Sequence, residues 1–339
     1  MTGLPASLRW PAEWEPHDAT AFTWPHNTDT WHRGVDAPRR AVTAAVLALA
    51  RDEHVYLHFP DAQTCRETMA GLGEAGASVT GRVVPSNDAW CRDHGALIVR
   101  RPDGRRLALD FGFNAWGGKY PPWDLDADIA AQMAGYLDIE RVSVPFVLEG
   151  GALDGNGQGV VMTTASCVLN PNRNAGVNRA QVEELFARAL GARHVWWLAG
   201  EIPGDDTDGH IDNLARFVDP SRVLAVAPRK PANDAQRAMA RNVELLAMQA
   251  DRAGIDLRVD HLPLPAQFMA RTSLPASYAN FYIGNRSVLM PVYRDPADDE
   301  ACALVASCFP DRELVPVDCR DLIVGLGALH CLSQQVPAT

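Results

Sequence analysis

The run GDDTDGHIDN at 204–213 packs Asp205, Asp206, Asp208 and Asp212 around His210, just ahead of an apolar stretch. Carboxylates this close repel one another unless a cation sits among them. In an extended loop, positions 208, 210 and 212 would project to one side, which suits a metal ion or a cationic substrate. A solvated acidic turn is the plain alternative, because turns favour Asp and Gly. Three further segments carry reactive residue types. NDAWCRDHG at 87–95 offers Asp88, Trp90, Asp93 and His94. FVLEGGALDG at 146–155 sets Glu149 at the end of an apolar run, before two glycines that let the backbone approach a ligand closely. GLGALHCLSQQVP at 325–337 carries Cys331 after a glycine-rich loop. Taken alone, Cys331 reads as a buried core thiol, since free cysteine is among the most buried residue types.

The four segments together hold a thiol, a histidine, an acid for that histidine, and spare carboxylates. A thiol nucleophile needs a lowered pKa and a proton shuttle, which His210 supplies if Glu149 orients it. Asp93 and Asp212 are costly in a site for an anion but match the forked donors of a planar guanidinium. At about 4 Å and an effective dielectric near 20, each carboxylate contributes about 4 kcal/mol of gross attraction before desolvation. The expected substrate is a cationic guanidine.

The elements that must position these residues alternate along the whole chain. Val42, Val46 and Leu49 share one face of a helix over Ala41 to Ala50, followed by a strand over Val55 to Phe59. Two strands flank the turn Pro102-Asp103-Gly104, and another hairpin crosses Asp219-Pro220. Helices are predicted over Asp126 to Tyr136, Arg179 to Leu190, Asn233 to Ala253 and Pro296 to Cys308. Several short strands thus accompany each helix, in a pattern repeated roughly every 60 to 70 residues, unlike a strict βαβ alternation. No Pro/Gly/Ser-rich linker divides the chain, so residues 1–339 are expected to form one domain whose loops carry the chemistry.

Composition narrows the function classes. The 31 basic against 42 acidic side chains give a net charge of −11, which argues against nucleic-acid binding. Only Lys119 and Lys230 are lysines, so a catalytic lysine has few candidates. The 7 cysteines form neither a disulfide framework nor a CxxC pair, which points to a reducing compartment. With no apolar leader at the start and no stretch of membrane-spanning length, a cytoplasmic protein without membrane contact is expected. Gly71 to Gly76 matches GxGxxG but follows a helix instead of opening one, and reads as a helix terminator. Asp154 and Asn156 resemble the start of a calcium loop, yet Ala165 stands where the bidentate Glu belongs.

The sequence also resembles the agmatine deiminases, within the bacterial peptidylarginine-deiminase-type family of guanidine-modifying enzymes. The similarity runs nearly end to end: WPAEWEPHDATAFTWPHN at 10–27, NDAWCRDHG, FGFNAWGGK at 111–119, the EGG at Glu149, LNPNRN at 169–174, TDGHIDN, SYANFYIGN at 277–285 and HCLSQQVP. The resemblance implies an α/β pentein fold, a propeller of five ββαβ-like units with pseudo-five-fold symmetry. It implies Cys331 as nucleophile, His210 as general acid and base, Glu149 as its supporting carboxylate, and Asp93 with Asp212 as the guanidinium fork. Trp90 would line the substrate's aliphatic chain and Asp206 would face its distal amine. The implied reaction takes agmatine to N-carbamoylputrescine and ammonia through an S-alkylthiouronium, a step toward putrescine, with no cofactor or metal; a homodimer is compatible with it. A sister activity on arginine, peptidyl-arginine or another guanidine stays open. So does a binuclear metal ureohydrolase, whose DxHxD pattern Asp208, His210 and Asp212 match, although the sequence lacks a second ligand cluster.

Overall fold

A computed structural model describes residues 4–200, 202–227 and 234–339. The described strands form five small sheets. The first holds β1 (His17–Thr23), β2 (His54–Phe59) and β3 (Val79–Val83); the second β4 (Leu97–Arg100), β5 (Arg106–Gly112) and β6 (Glu140–Val147). The third comprises β7 (Asp154–Gly155), β8 (Val160–Thr164) and β9 (His194–Leu198), and the fourth β10 (Ala215–Asp219), β11 (Arg222–Val226) and β12 (Arg258–Leu262). The fifth comprises β13 (Tyr282–Ile283), β14 (Ser287–Val292) and β15 (Glu313–Asp318). The last strand, β16 (Ser333–Pro337), returns to the first sheet and pairs antiparallel with β1, Thr20 opposite Gln335 and Phe22 opposite Ser333.

One pairing grammar recurs in all five. An outer strand runs antiparallel to the middle strand, which runs parallel to the third: β16·β1·β2, β4·β5·β6, β7·β8·β9, β10·β11·β12 and β13·β14·β15. A parallel pair cannot be closed by a tight turn and needs a crossover. Each unit supplies a helix for it: Asp36–Leu49, Ile129–Tyr136, Arg179–Leu190, Asp234–Ala253 and Asp298–Cys308. This meets the expectation of five ββαβ-like units, with one strand of the first unit contributed by the far end of the chain.

Local sequence explains the helices. Asp36–Leu49 buries Val42, Val46 and Leu49, the face its spacing predicts. Arg179–Leu190 opens on a capping box between Asn178 and Gln181 and closes on Gly191 in the left-handed region, where glycine carries no Cβ penalty. The helix Ala62–Leu72 ends at Gly73 with φ +54, so the GxGxxG run is a terminator as expected. Asp126–Asp128 forms a 3-10 turn ahead of the helix expected to start there. Asn233 lies outside the described residues. Asp154 accepts from Arg216 and from the Phe217 amide, as a structural anchor and no part of a calcium loop.

A buried ionic network ties the units together beneath the centre. Glu13 accepts from Arg216 (2.8 Å), the Ile283 amide (2.9 Å), Arg92 (3.2 Å) and the His330 ring (2.8 Å). Burial alone would raise the Glu13 pKa, but Arg216, His330 and Arg92 hold it well below the ordinary value. Losing one member of such a buried set costs about 3–5 kcal/mol, because the remaining charges stay out of water.

Candidate active site

The repeated topology determines where chemistry can sit. In each unit the segment just ahead of the outer strand carries a buried polar residue: Asp93 before β4, Glu149 before β7, His210 and Asp212 before β10, Asn280 before β13, Cys331 before β16. Residues far apart in sequence thereby meet. Asp212 Oδ2 lies 3.7 Å from Cys331 Sγ, Asp93 Oδ1 lies 3.7 Å from His210 Nδ1, and Glu149 Oε2 lies 4.0 Å from His210 Nε2.

Each side chain is held by its own partners. Asp93 accepts from the Gly151 amide at 2.9 Å and from Trp116 Nε1 at 3.0 Å. A Cβ on Gly151 would fall 2.6 Å from His210 Nδ1 and 2.7 Å from Asp93 Oδ1, so the second glycine after Glu149 admits both side chains. Asp212 accepts from His330 Nδ1 at 2.8 Å and from Asn280 Nδ2 at 3.3 Å, while its other oxygen is buried without a protein partner. Both ring nitrogens of the fully buried His210 also lack hydrogen-bond partners in the protein. An orphaned carboxylate oxygen and an orphaned imidazole are expected where a polar ligand completes the arrangement.

The electrostatics follow from burial and from like charges. Asp93 is pushed up to about 6, first by burial and also by Asp212 and Glu149, against the opposing pull of His210. Burial opposes charge on His210, yet Asp93, the neighbouring Cys167 and Asp212 hold its pKa well above the ordinary histidine value. Burial works to raise Asp212 as well, but the His330 hydrogen bond and charge win and lower it. Cys331 is raised well above the ordinary thiol value by burial, and by Asp212 and Asp93. Burial and the neighbouring groups thus favour the neutral thiol and the imidazolium, and the clustered carboxylates suit a further cation.

Cys331 and Asp93 open onto a cavity of about 250 Å³. Trp90 lines it and packs against Trp31, the two rings tilted by 39° with centroids 5.5 Å apart. Gly327 lets the terminal loop close over that ring, since a Cβ there would meet Trp90 at 2.4 Å and the Cys331 Cβ at 3.0 Å. The wall also includes the exposed Asp29 and the half-buried Asp88 and Asp206, and among its described lining residues there is no arginine or lysine. Asp206 accepts from the Tyr120 hydroxyl.

The expectation for positions 208, 210 and 212 is only partly met. His210 and Asp212 face inward, but Asp208 adopts φ +66 and turns away to Arg173, Lys119 and Asn172. The DxHxD set is therefore not assembled. Among the described residues, the donor atoms grouped closely enough for a metal are those of Glu149, Cys167 and His210, within 4.8 Å of one another. Glu149 is already paired with Arg173 at 2.9 Å, and that guanidinium opposes a divalent cation beside it.

Three contributors escaped the sequence reading. Arg173 bridges Glu149 to Asp208 and to the Thr207 carbonyl, fixing the acidic loop against the third unit. His330 bridges Asp212 to Glu13, and Asn280 contacts Cys331 Sγ at 3.1 Å. All three lie within segments quoted for the family resemblance; the available signal was a polar side chain beside a reactive one.

The chain is similar to known proteins over nearly its whole length. The profile of the Porphyromonas-type peptidyl-arginine deiminase family matches residues 9–337. A Yersinia pestis protein whose assignment as an agmatine deiminase is provisional is 36% identical, over 97% of this chain and 95% of its own. The structure of an Enterococcus faecalis agmatine deiminase superposes with a TM-score of 0.91 at 29% identity, covering 99% of this chain and 98% of that one. A Cys-to-Ser variant of the C. jejuni agmatine deiminase with substrate bound gives a TM-score of 0.87 at 28% identity, covering 100% and 98%.

Proposed function

The chain belongs to the Porphyromonas-type peptidyl-arginine deiminase family, and from that premise we propose that it is an agmatine deiminase. It hydrolyses the guanidinium of agmatine to N-carbamoylputrescine and ammonia, a product on the way to putrescine. The observation that carries this reading is the polarity of one cavity: the thiol and a carboxylate at its buried end, acids at its mouth, and no arginine or lysine among the described lining. Arginine or a peptide would bring a carboxylate or amide to that acidic mouth, whereas agmatine brings a second cation.

The reaction follows from the charges already in place. The guanidinium enters between Asp93 and Asp212, and its positive charge beside Cys331 offsets the burial and repulsion that keep the thiol protonated. The thiol releases its proton to solvent as the cation seats, and the thiolate attacks the guanidinium carbon, forming a C–S bond while the C=N π electrons move onto nitrogen. As the C–N bond breaks, protonated His210 gives its proton to the leaving ammonia. The S-alkylthiouronium remains, and neutral His210 takes a proton from the water that attacks it. The C–S bond then breaks, releasing the ureido product and returning the thiolate. Glu149, backed by Arg173, favours the imidazolium throughout; Trp90 lies along the aliphatic chain and Asp206 faces the distal amine.

The test is a product assay in EDTA with agmatine, arginine and a blocked arginine peptide, scoring ammonia, ureido product and urea separately. Ammonia with N-carbamoylputrescine from agmatine is the expected result. Ammonia from another guanidine alone would move the substrate, and urea would overturn the thiol mechanism.

A further inference from the structure

Four of the five units deliver a residue whose type announces chemistry: Asp93, Glu149, His210 with Asp212, and Cys331. The fifth delivers Asn280, two residues ahead of β13, buried and in contact with the sulfur. We propose that Asn280 is a further catalytic residue, whose side-chain amide donates to the Cys331 sulfur and stabilises it as a thiolate during attack and release.

Hydrogen bonding fixes the orientation of the amide. Asn280 Oδ1 faces two backbone amides, that of His330 at 3.0 Å and that of Cys331 at 3.4 Å. Backbone N–H groups only donate, so the atom facing them is the oxygen and the opposite end carries the two N–H donors. That end meets Cys331 Sγ at 3.1 Å, Asn213 Oδ1 at 3.1 Å and Asp212 Oδ2 at 3.3 Å. The Asn280 carbonyl accepts from the His330 amide at 3.2 Å as well. One side chain thus clamps the backbone carrying the nucleophile and directs a donor at the atom that becomes negative.

That donor counters an unfavourable neighbourhood. The charged or titratable groups around the sulfur are Asp212 at 3.7 Å, Asp93 across the site, His330 turned toward Asp212 and Glu13, and the Tyr293 hydroxyl, which donates to the Ser277 carbonyl. Both carboxylates disfavour a thiolate, and neither His330 nor Tyr293 donates to it. A hydrogen bond to sulfur is weak while the thiol is neutral and gains strength when it ionises, so it acts more on the thiolate states than on the resting enzyme.

The first variant is Asn280→Asp, which keeps an oxygen for the two backbone amides and replaces the donor with a charged acceptor; Asn280→Ala is the second, which removes the donor without adding charge. Two readouts apply. The kinetic one rests on the deiminase reading: kcat falls roughly 10- to 100-fold with KM changed less than about threefold, the scale of a hydrogen bond to a charged group. The second is independent of any substrate: alkylation of Cys331 by iodoacetamide, followed by peptide mass spectrometry across pH, with its midpoint moving up by about one unit in Asn280→Ala and further in Asn280→Asp. A wild-type kcat and alkylation midpoint in either folded variant would overturn the proposal. So would a loss of kcat with an unmoved midpoint in both, which would leave Asn280 as a brace for the loop. Should wild-type enzyme release ammonia from no guanidine, the functional reading fails while the alkylation profile still decides the role of Asn280.

Discussion

Replacing Asp93 by asparagine separates what the carboxylate does for the substrate from what it costs the fold. Both of its oxygens accept from fixed donors, Gly151 N–H and Trp116 Nε1, so the amide NH₂ of asparagine must face one N–H head-on, at about 1–3 kcal/mol. Against this stands a gain. With a folded pKa of about 6 in place of the ordinary 3.8, carrying the charge at neutral pH costs about 3 kcal/mol at 1.36 kcal/mol per unit. The sign is that of a raised acid: its contribution to stability is present below about pH 4 and lost as pH rises through about 6. The two effects oppose, so the melting temperature of Asp93→Asn at pH 7.5 should stay within a few degrees of wild type. Function has no such offset. The guanidinium loses one of two carboxylates, and kcat/KM should fall roughly 10- to 150-fold, about 1.5–3 kcal/mol of transition-state stabilisation. Ammonia release measured from pH 5 to 9, beside thermal unfolding, tests both. Wild-type kcat/KM should decline below a midpoint near 6 as Asp93 takes up a proton, and this limb should disappear in the variant. A variant within threefold of wild type that keeps the same acid limb would refute the fork and the titration together.

Other perturbations separate chemistry from scaffold. Cys331→Ser should abolish turnover while leaving the circular dichroism spectrum and melting temperature near wild type; residual activity above a few per cent would remove the nucleophile. Gly151→Ala should cut kcat at least about 100-fold, since its Cβ would lie 2.6 Å from His210 Nδ1, and steady-state kinetics at saturating substrate measure it. Arg173→Met should destabilise by about 3–5 kcal/mol in urea unfolding, because it strands Glu149 uncompensated in the interior. Glu13→Gln should weaken the fold most above pH 5 and progressively less as pH falls, because a lowered acid contributes its stability above the ordinary value and loses it below; unfolding at pH 4 and 7 checks this.

The elements with strong periodicity were legible. The crossover helices show their apolar faces in sequence, and hairpins such as that across Asp219-Pro220 carry turn residues at the right spacing. The closing pair was not. Ser333–Pro337 is polar, and its strand conformation comes from pairing with β1 more than 300 residues away, which no local pattern encodes. In the site, the residues with distinctive chemistry stood out by type: Cys331, His210, Glu149, Asp93 and Asp212. Those acting through them did not. Arg173 and His330 gain their roles only when loops from different units meet, and Asn280 is an unremarkable amide until the fifth unit sets it against sulfur. Asp208 shows the converse: its spacing from His210 and Asp212 suggested a shared site, but a left-handed backbone and an arginine turned it outward.

The measurement that tests the central claim most directly is an acid quench of the enzyme during turnover of agmatine, followed by peptide mass spectrometry of all 7 cysteines. The account predicts an adduct of agmatine less ammonia on the peptide bearing Cys331 and on no other, vanishing as substrate is consumed. Turnover with no adduct on Cys331 under any quench time, or an adduct on another cysteine, would contradict it.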